Sequence, residues 1–368
     1  MAKLPATMRA LVAPRYCPPS KFELRDIPLP AITKPEDVLI KVHAAGMQSA
    51  DMMRARGAPR ILPGQMKFPM TMGSEGSGVV AAVGSAVTTV KPGDEVYGLG
   101  MASRQADFFA ESGFAAEYTL APEGGILPKP AHLTHEEAAS LLGFTLTIED
   151  GLRMLRENGA AAGGLGGKTV FVPGALSGTG SLGIQLLRNY YGAARVISSV
   201  STAKLPLVGR YLPGLVDEVV DYTAAARLTD LVAPGSVDFA YNTQWGVQGT
   251  FGLVKRDRGV VACIASVPPP ALLREMIHGI PFWIRWLSGL AQWYYAFKLR
   301  GTGIRYRFTS GDPGRREDVE MAGRLIAEGK VKSIRREVEL ADLEAVRREC
   351  EKVYTGKGGI GKLVIKVA

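Results

Sequence analysis

Cysteine is scarce in this chain. Cys17, Cys263 and Cys350 are the only three among 368 residues. Odd in number and far apart, they offer neither a disulfide framework nor a metal-binding quartet, and the usage fits a reducing compartment. Long apolar runs are also missing. The N-terminal stretch MAKLPATMRALVAP has no apolar core of signal-peptide length, so the expectation is a cytoplasmic protein. No internal repeat or low-complexity linker occurs, and no block of like charge. The formal charge is +9, but Lys and Arg are scattered. The pairs Arg315–Arg316, Arg335–Arg336 and Arg347–Arg348 each lie close to acids. This reads as solvated surface that helps attract an anionic ligand, and no nucleic-acid partner is expected.

What is present is an ordinary globular composition, 46% hydrophobic and 21% charged, in a chain long enough for two domains. The stretch KTVFVPGALSGTGSLG, residues 168–183, organises the rest. Residues 169–172 read as a buried parallel strand, a glycine-rich turn follows, and residues 184–190 have helical apolar spacing. Strand, glycine turn and helix make a phosphate site: backbone N–H groups and the positive helix end face one anion, and glycines allow close approach.

Before this stretch, short strands at 8–12, 22–27, 38–42 and 114–120 alternate with Gly/Pro turns such as Pro92-Gly93-Asp94, which indicates a compact β-rich domain. Thr134 and Glu137 form a capping box that starts a helix over 135–142. His132 and His135, at that helix start, read as surface residues rather than metal ligands. From Gly143 the pattern changes. A helix over 147–156 and a glycine/alanine connector over 159–167 precede the phosphate stretch. Further strands at 195–200, 218–221, 237–241 and 259–265 follow it, five in all, the pattern of a doubly wound parallel sheet. The fifth strand is expected at the sheet edge, where an apolar strand needs cover.

Residues 280–308 are rich in aromatics. Arg285, Gln292, Lys298 and Arg300 exclude a membrane span. A core or interface segment, the wall of a pocket for a greasy substrate, and a helix lying in the plane of a membrane surface all remain open. A helix over 316–328, a strand over 333–338, a helix over 343–354 and a strand over 362–367 close the chain.

Taken together, VHAAG (42–46), GSEGSGV (73–79), VKPGDEV (90–96), VPGALSGTG (172–180) and GKLVIKV (361–367) resemble the medium-chain dehydrogenase/reductase superfamily almost end to end. The resemblance implies a GroES-like β-rich catalytic domain (1–145 and 306–368) around a Rossmann dinucleotide domain (146–305), and a homodimer. It also selects a glycine register. The literal G-x-G-x-x-G is Gly178, Gly180, Gly183, whereas the family pattern uses Gly174, Gly178 and Gly180. The phosphate turn is then 175–179, with Ala175, Ser177 and Thr179, and Gly183 lies inside the helix against the sheet. Zinc alcohol dehydrogenases of the superfamily carry a Cys soon after the AAG motif and a His in a GHE motif. Gln48 and Ser74 stand at those positions here, and the structural-zinc cysteine loop is missing. The sequence is therefore similar to the zinc-free quinone oxidoreductase and enoyl reductase branch, with no metal expected.

Cofactor choice follows from the second strand. NAD-preferring sites place an acid near its end. RVISSVSTAK (195–204) has none and offers Ser201, Thr202 and Lys204, which suit a 2′-phosphate. NADPH is therefore expected. The resemblance adds Tyr222 beside the adenosine phosphate, Thr147 near the nicotinamide and Lys362 near the cofactor phosphates. Asn242, Thr243, Ser266 and Val267 follow strands that border the ligand crevice. Gln48, in place of the family's asparagine, is expected to hydrogen-bond a substrate carbonyl, so Gln48 and Thr147 are the candidate catalytic residues. Residues 51–59 lack the tyrosine proposed as proton donor in mitochondrial-type enoyl thioester reductases, and Met53 stands about where some polyketide-associated trans-enoyl reductases have a lysine. Water or a tyrosine of the aromatic segment is the expected substitute. The expected activity is NADPH-dependent, zinc-independent hydride transfer to the conjugated double bond of an apolar enone or to a quinone. The alternatives are a trans-acting enoyl reductase of a polyketide assembly line, in secondary metabolism, and a cofactor-binding protein with mainly an interaction role.

Overall fold

The computed structural model describes residues 4–61, 66–101, 112–157 and 164–368. The first part of the expected 159–167 connector lies outside them. Six strands form a parallel sheet: Thr169–Pro173, Arg195–Val200, Glu218–Asp221, Phe239–Asn242, Val260–Cys263 and Arg305–Phe308. Counted along the chain, their spatial order is third, second, first, fourth, fifth, sixth. The chain thus runs outward one way from the first strand and then returns to build the other half, leaving a crevice between the first and fourth strands. Period-two alternation sends side chains of one strand to both faces. Phe171 packs with Ile197, Ala240 and Val261 on one side. Val170 and Val172 pack with Leu182 and Leu186 of the helix Gly178–Asn189 on the other.

Two expectations about this sheet need correction. There is a sixth strand, and it pairs with the fifth (Val260↔Arg305 to Cys263↔Phe308), so the fifth is interior. The edge is the short RYRF strand, whose Arg305 and Arg307 are exposed. Charged side chains on a short edge discourage pairing with another sheet. The strand escaped notice because its arginines and aromatics merge with the preceding aromatic segment. The boundary drawn between 305 and 306 falls inside this strand. The one between 145 and 146 falls inside the helix Leu142–Glu157.

A second, mostly antiparallel sheet holds Asp37–Met47, Glu75–Val83, Glu95–Leu99 and Ile126–Pro128, with Tyr118–Pro122 beside the first of these. Arg335–Glu339 and Lys362–Lys366 join it from the far end of the chain. Lys362–Lys366 runs antiparallel to Asp37–Met47, with Leu363 opposite Met47. The expected 135–142 helix is only His135–Ala138. Its capping box is present, Glu137 N donating to Thr134 Oγ1 (3.2 Å) and Thr134 N to the Glu137 carboxylate (3.1 Å). His132 is exposed as expected. His135 is half-buried: its ring stacks on His43 with centroids 4.4 Å apart, and its Nδ1 lies 2.8 Å from Ser77 Oγ. It is a packing residue, tied down by the strand beneath it.

The two sheets share a hydrophobic core, and one hydrogen bond links them at the site. Gly361, next to Lys362, donates its N–H to the carbonyl of Leu176 in the phosphate turn (2.8 Å), so the closing strand reaches the turn of the parallel sheet. Phe171 is fully buried in the first parallel strand. Phe171→Ala is expected to remove about 3–5 kcal/mol of stability, read as a lower urea midpoint by far-UV circular dichroism.

Candidate functional site

The phosphate turn explains its own glycines. Gly174 has φ +73°, the left-handed region. A Cβ on Gly178 would lie 2.2 Å from the Phe144 ring, and one on Gly180 would lie 2.2 Å from the Gly174 carbonyl oxygen. Gly183 sits inside the helix with its Cα against the Tyr241 ring, where a Cβ would come within 3.0 Å. The turn's own geometry thus requires glycine at 174, 178 and 180. The helix begins at Gly178, six residues before 184, because Ser177 caps it: Ser177 Oγ accepts from Gly180 N at 3.0 Å. Gly174 and Ala175 both donate their N–H groups to Ser199 O (3.0 and 3.1 Å), so these two build the turn. Gly178 and Thr179 carry the first helical amides, which have no acceptor within the helix, and they make the anion-facing end.

A cavity of about 1410 Å³ opens over this turn, between the two sheets. Gln48, Thr147, Gly174, Ser177, Gly178, Thr179, Ser201, Lys204, Tyr222, Asn242 and Lys362 all line it. Five expected residues do not: Ala175, Gly180, Thr202, Ser266 and Val267. Ala175 is fully buried; Gly180 is closed off by Gly174 O and Ser177 Oγ. Ser266 has its hydroxyl 2.7 Å from Tyr306 OH of the sixth strand. Ala175, Gly180 and Ser266 shape the wall from behind. Asn242 lines the cavity with its side chain committed inward, donating to Gln244 O (2.5 Å) and accepting from Thr250 Oγ1 (3.1 Å). Gln244 and Trp245 also line the cavity, the first lying over Gly174. They followed the fourth strand without any motif to mark them.

One end of the cavity is cationic. Lys204 Nζ donates to Gly359 O (2.5 Å), and burial together with the positive charge of Arg336 pushes its pKa down. Arg336, which also lines the cavity, donates to Glu349 (2.8 Å) and Ile360 O (2.6 Å). Sequence reasoning missed Arg336, because only the pairing of the C-terminal strands brings it there. Tyr222 and Ser201 stand on the same wall. Thr202 does not: its hydroxyl donates to Asp221 of the third strand (2.6 Å), and neither residue lines the cavity.

The other end holds Gln48, Thr147 and Lys362. Gln48 N-caps the helix Ser49–Arg56, and its backbone N–H donates to Asp51 Oδ2 (2.7 Å). Its side-chain amide lies against Gly143, where a Cβ would be 2.8 Å from Nε2. Thr147 Oγ1 donates to Gly143 O (2.8 Å), leaving its lone pairs to accept. Lys362 is buried, ion-paired with the equally buried Glu75, and its ammonium sits 3.9 Å from the Phe144 ring centre. Burial pushes the Lys362 pKa well down, opposed by the charge of Asp51, whose own carboxyl is pushed up by burial. Glu75 in turn accepts from Gly143 N (2.8 Å). Ser74 Oγ approaches Asp51 at 3.4 Å. Among the described residues no three His, Cys, Asp or Glu side chains are grouped to hold a metal ion. None of residues 280–298 lines the cavity, so the aromatic segment is not its wall. Tyr294 and Tyr295 are not placed to deliver a proton there.

The alcohol dehydrogenase GroES-like domain matches residues 34–131. A 2-methylene-furan-3-one reductase of Solanum lycopersicum is 34% identical over 238 residues, 64% of this chain and 57% of its own length. A chloroplastic NADPH-dependent alkenal/one oxidoreductase of Arabidopsis thaliana is 33% identical over 270 residues, 73% of this chain and 66% of its own. The chain thus spans between just over half and about two thirds of the length of these relatives. The structure of a quinone oxidoreductase from Coxiella burnetii superposes with a TM-score of 0.73 at 22% identity, covering 98% of this chain and all of that one, a likeness of fold. With the motif set in order, the GroES-like match and the shared fold, the chain belongs to the medium-chain dehydrogenase/reductase superfamily.

Proposed function

We propose that this protein is an NADPH-dependent, zinc-independent reductase of conjugated apolar carbonyl compounds, enones or quinones. The observation that carries the reading is one cavity with a glycine-cradled helix end in its floor, a Lys204–Arg336 cation pair at one side and the Gln48 amide at the other. The turn fits a dinucleotide because Gly178 and Thr179, which carry the first helical amides, both line the cavity. Gly178 and Thr179 would face the pyrophosphate. Ser201, Lys204 and Arg336 would hold the 2′-phosphate, with Tyr222 beside it. The names of the two plant relatives, both reductases of conjugated systems, support the same reading.

NADPH supplies hydride when bound. Everything else falls to the chain. Gln48 offers an amide N–H to the oxygen that becomes negative as the conjugated system accepts hydride, and a preorganised donor of this kind stabilises developing charge. Conjugation spreads that charge, so a Lewis acid is not required. Gln48 and Ser74 are engaged with the helix cap and Asp51. Met47, Met52, Leu99, Met101 and Leu146 give the wall its apolar character. Arg56 and Lys352 also reach the cavity, and these two cations favour a second reading in which the acceptor is an enoyl thioester held by the phosphate of a phosphopantetheine arm.

Turnover of NADPH with a panel of enones, quinones and enoyl thioesters tests the reading; tight NADPH binding without turnover on any acceptor would overturn it. Gln48→Ala is expected to lower kcat about 10²-fold, in the range seen for loss of one oxyanion donor, with the NADPH Kd unchanged. Lys204→Ala is expected to weaken NADPH at least about tenfold, the scale of one charge-assisted hydrogen bond, and to leave NADH binding unaltered. The pH dependence has a defined sign. Lys204 attracts the 2′-phosphate only when charged, and its pKa is lowered. The preference for NADPH over NADH should therefore decline as pH rises, starting below the ordinary lysine value of about 10.4, as isothermal titration would record. Arg56→Glu should raise KM for thioesters and not for small enones if the second reading holds.

A further inference from the structure

The helix Phe282–Lys298 leaves most of its large aromatic residues facing outward. A surface helix normally buries its apolar stripe and turns polar residues to water. Here the inward side carries only the small or mid-sized apolar residues Ile284 and Ala291, with Tyr295 packed edge-on to Tyr306 and Ser288 and Gln292 donating to Pro268 O (2.5 Å) and Val267 O (2.6 Å). The outward side carries Phe282, Trp283, Trp286, Leu290, Trp293 and Phe297, with Phe282 73%, Trp286 60% and Trp293 65% exposed. Their spacing forms one stripe along the helix. Scattered exposed hydrophobics need no explanation, but a continuous aromatic stripe marks a contact surface.

The charge around the stripe says what it contacts. Between Glu275 and Asp312 the chain has no acidic residue, while Arg285, Lys298, Arg300, Arg305 and Arg307 all fall within that span. Arg307 is neutralised by Glu157 (2.6 Å). Lys298, Arg300 and Arg305 are exposed and have no carboxylate partner among the described residues. Tryptophan and phenylalanine flanked by unpaired cations complement a surface that is apolar below and anionic above, the interface of an acidic phospholipid bilayer. The helix does not cross it: no helix among the described residues is long and apolar enough to do so. A second copy of this chain fits less well. Seventeen residues make a helix about 25 Å long, and a face about 10 Å wide then covers roughly 250 Å², well below the ~800 Å² per partner of a stable interface. Extending that contact over the neighbouring sheet edge would bring the exposed arginines of the RYRF strand against their own copies.

We infer that the protein docks on anionic phospholipid bilayers through the helix Phe282–Lys298, its aromatic stripe sunk among the headgroups and Lys298, Arg300 and Arg305 paired with lipid charge. The inference stands apart from the catalytic reading, and its test needs no turnover. The full chain is sedimented with vesicles of phosphatidylcholine containing 30% phosphatidylserine and with vesicles of phosphatidylcholine alone, at low and high salt. Light scattering of the lipid-free protein is measured in parallel. The expected result is binding to the serine-containing vesicles only, lost at high salt, with a blue-shifted tryptophan emission that brominated lipid quenches. W283S/W286S/W293S alters only exposed side chains outside the cavity, so folding and NADPH binding should persist while vesicle binding falls at least about a hundredfold; K298E/R300E/R305E should reduce it on the order of a hundredfold by charge alone. Failure of the wild type to bind acidic vesicles, or binding that both variants retain, would overturn the inference. So would a dimer that the tryptophan variant dissociates, with no affinity for vesicles, which would assign the stripe to a second copy.

Discussion

A buried ammonium is costly unless an anion stands beside it, and Lys362 imposes that condition on the whole molecule. Its partner, Glu75, lies on a strand from the N-terminal half of the chain, while Lys362 lies on the last strand. The pair forms only when Lys362–Lys366 is laid against Asp37–Met47. Once that strand is in place, Gly361 reaches the Leu176 carbonyl and ties the phosphate turn to the same seam. Phe144, beneath the ammonium, also meets Gly178 at the helix start. Removing one partner would strand the other without compensation, a penalty of about 3–5 kcal/mol. The antiparallel sheet therefore needs both ends of the chain, and the strand that completes it also touches the phosphate turn.

That seam also divides the site into two electrostatic ends. Lys204, arriving after the second parallel strand, meets Arg336 from the C-terminal pair of strands, so two cations converge where an anion is wanted. Asp51, pushed up by burial, caps the Gln48 helix at the opposite end. Between them the glycine turn offers backbone amides and no side-chain bulk. Under the proposed function, a dinucleotide phosphate, a 2′-phosphate and a polarisable carbonyl would each meet a different kind of donor, set by local geometry rather than by net charge.

The helix Phe282–Lys298 shows why composition misleads without packing. Its aromatics suit a core, a pocket wall or a contact face equally well as a string of letters. The polar residues Ser288 and Gln292 turn inward because two carbonyls, Pro268 O and Val267 O, are waiting there. Apart from Tyr295, the aromatics are left outside, away from the cavity. The same blindness hid the sixth strand. RYRF is too short and too charged to announce itself, and it becomes a strand only by hydrogen-bonding to Val260–Cys263.

Features set by neighbours in sequence were legible from sequence. The strand–glycine–helix phosphate unit, the capping box at Thr134 and Glu137, the strand–helix alternation and the lack of an acid after the second strand are all local matters of periodicity and backbone freedom. Most of the expected site residues meet in one cavity for the same reason, since strand ends in such a sheet point to one crevice. Tertiary structure alone decided the rest. It brought Arg336 to Lys204, turned Ser266 to Tyr306 and moved the edge from the fifth strand to the sixth. It also faced the aromatic stripe to the outside. Each of these depends on a contact between residues far apart in the chain, and no local pattern records which distant group will be there.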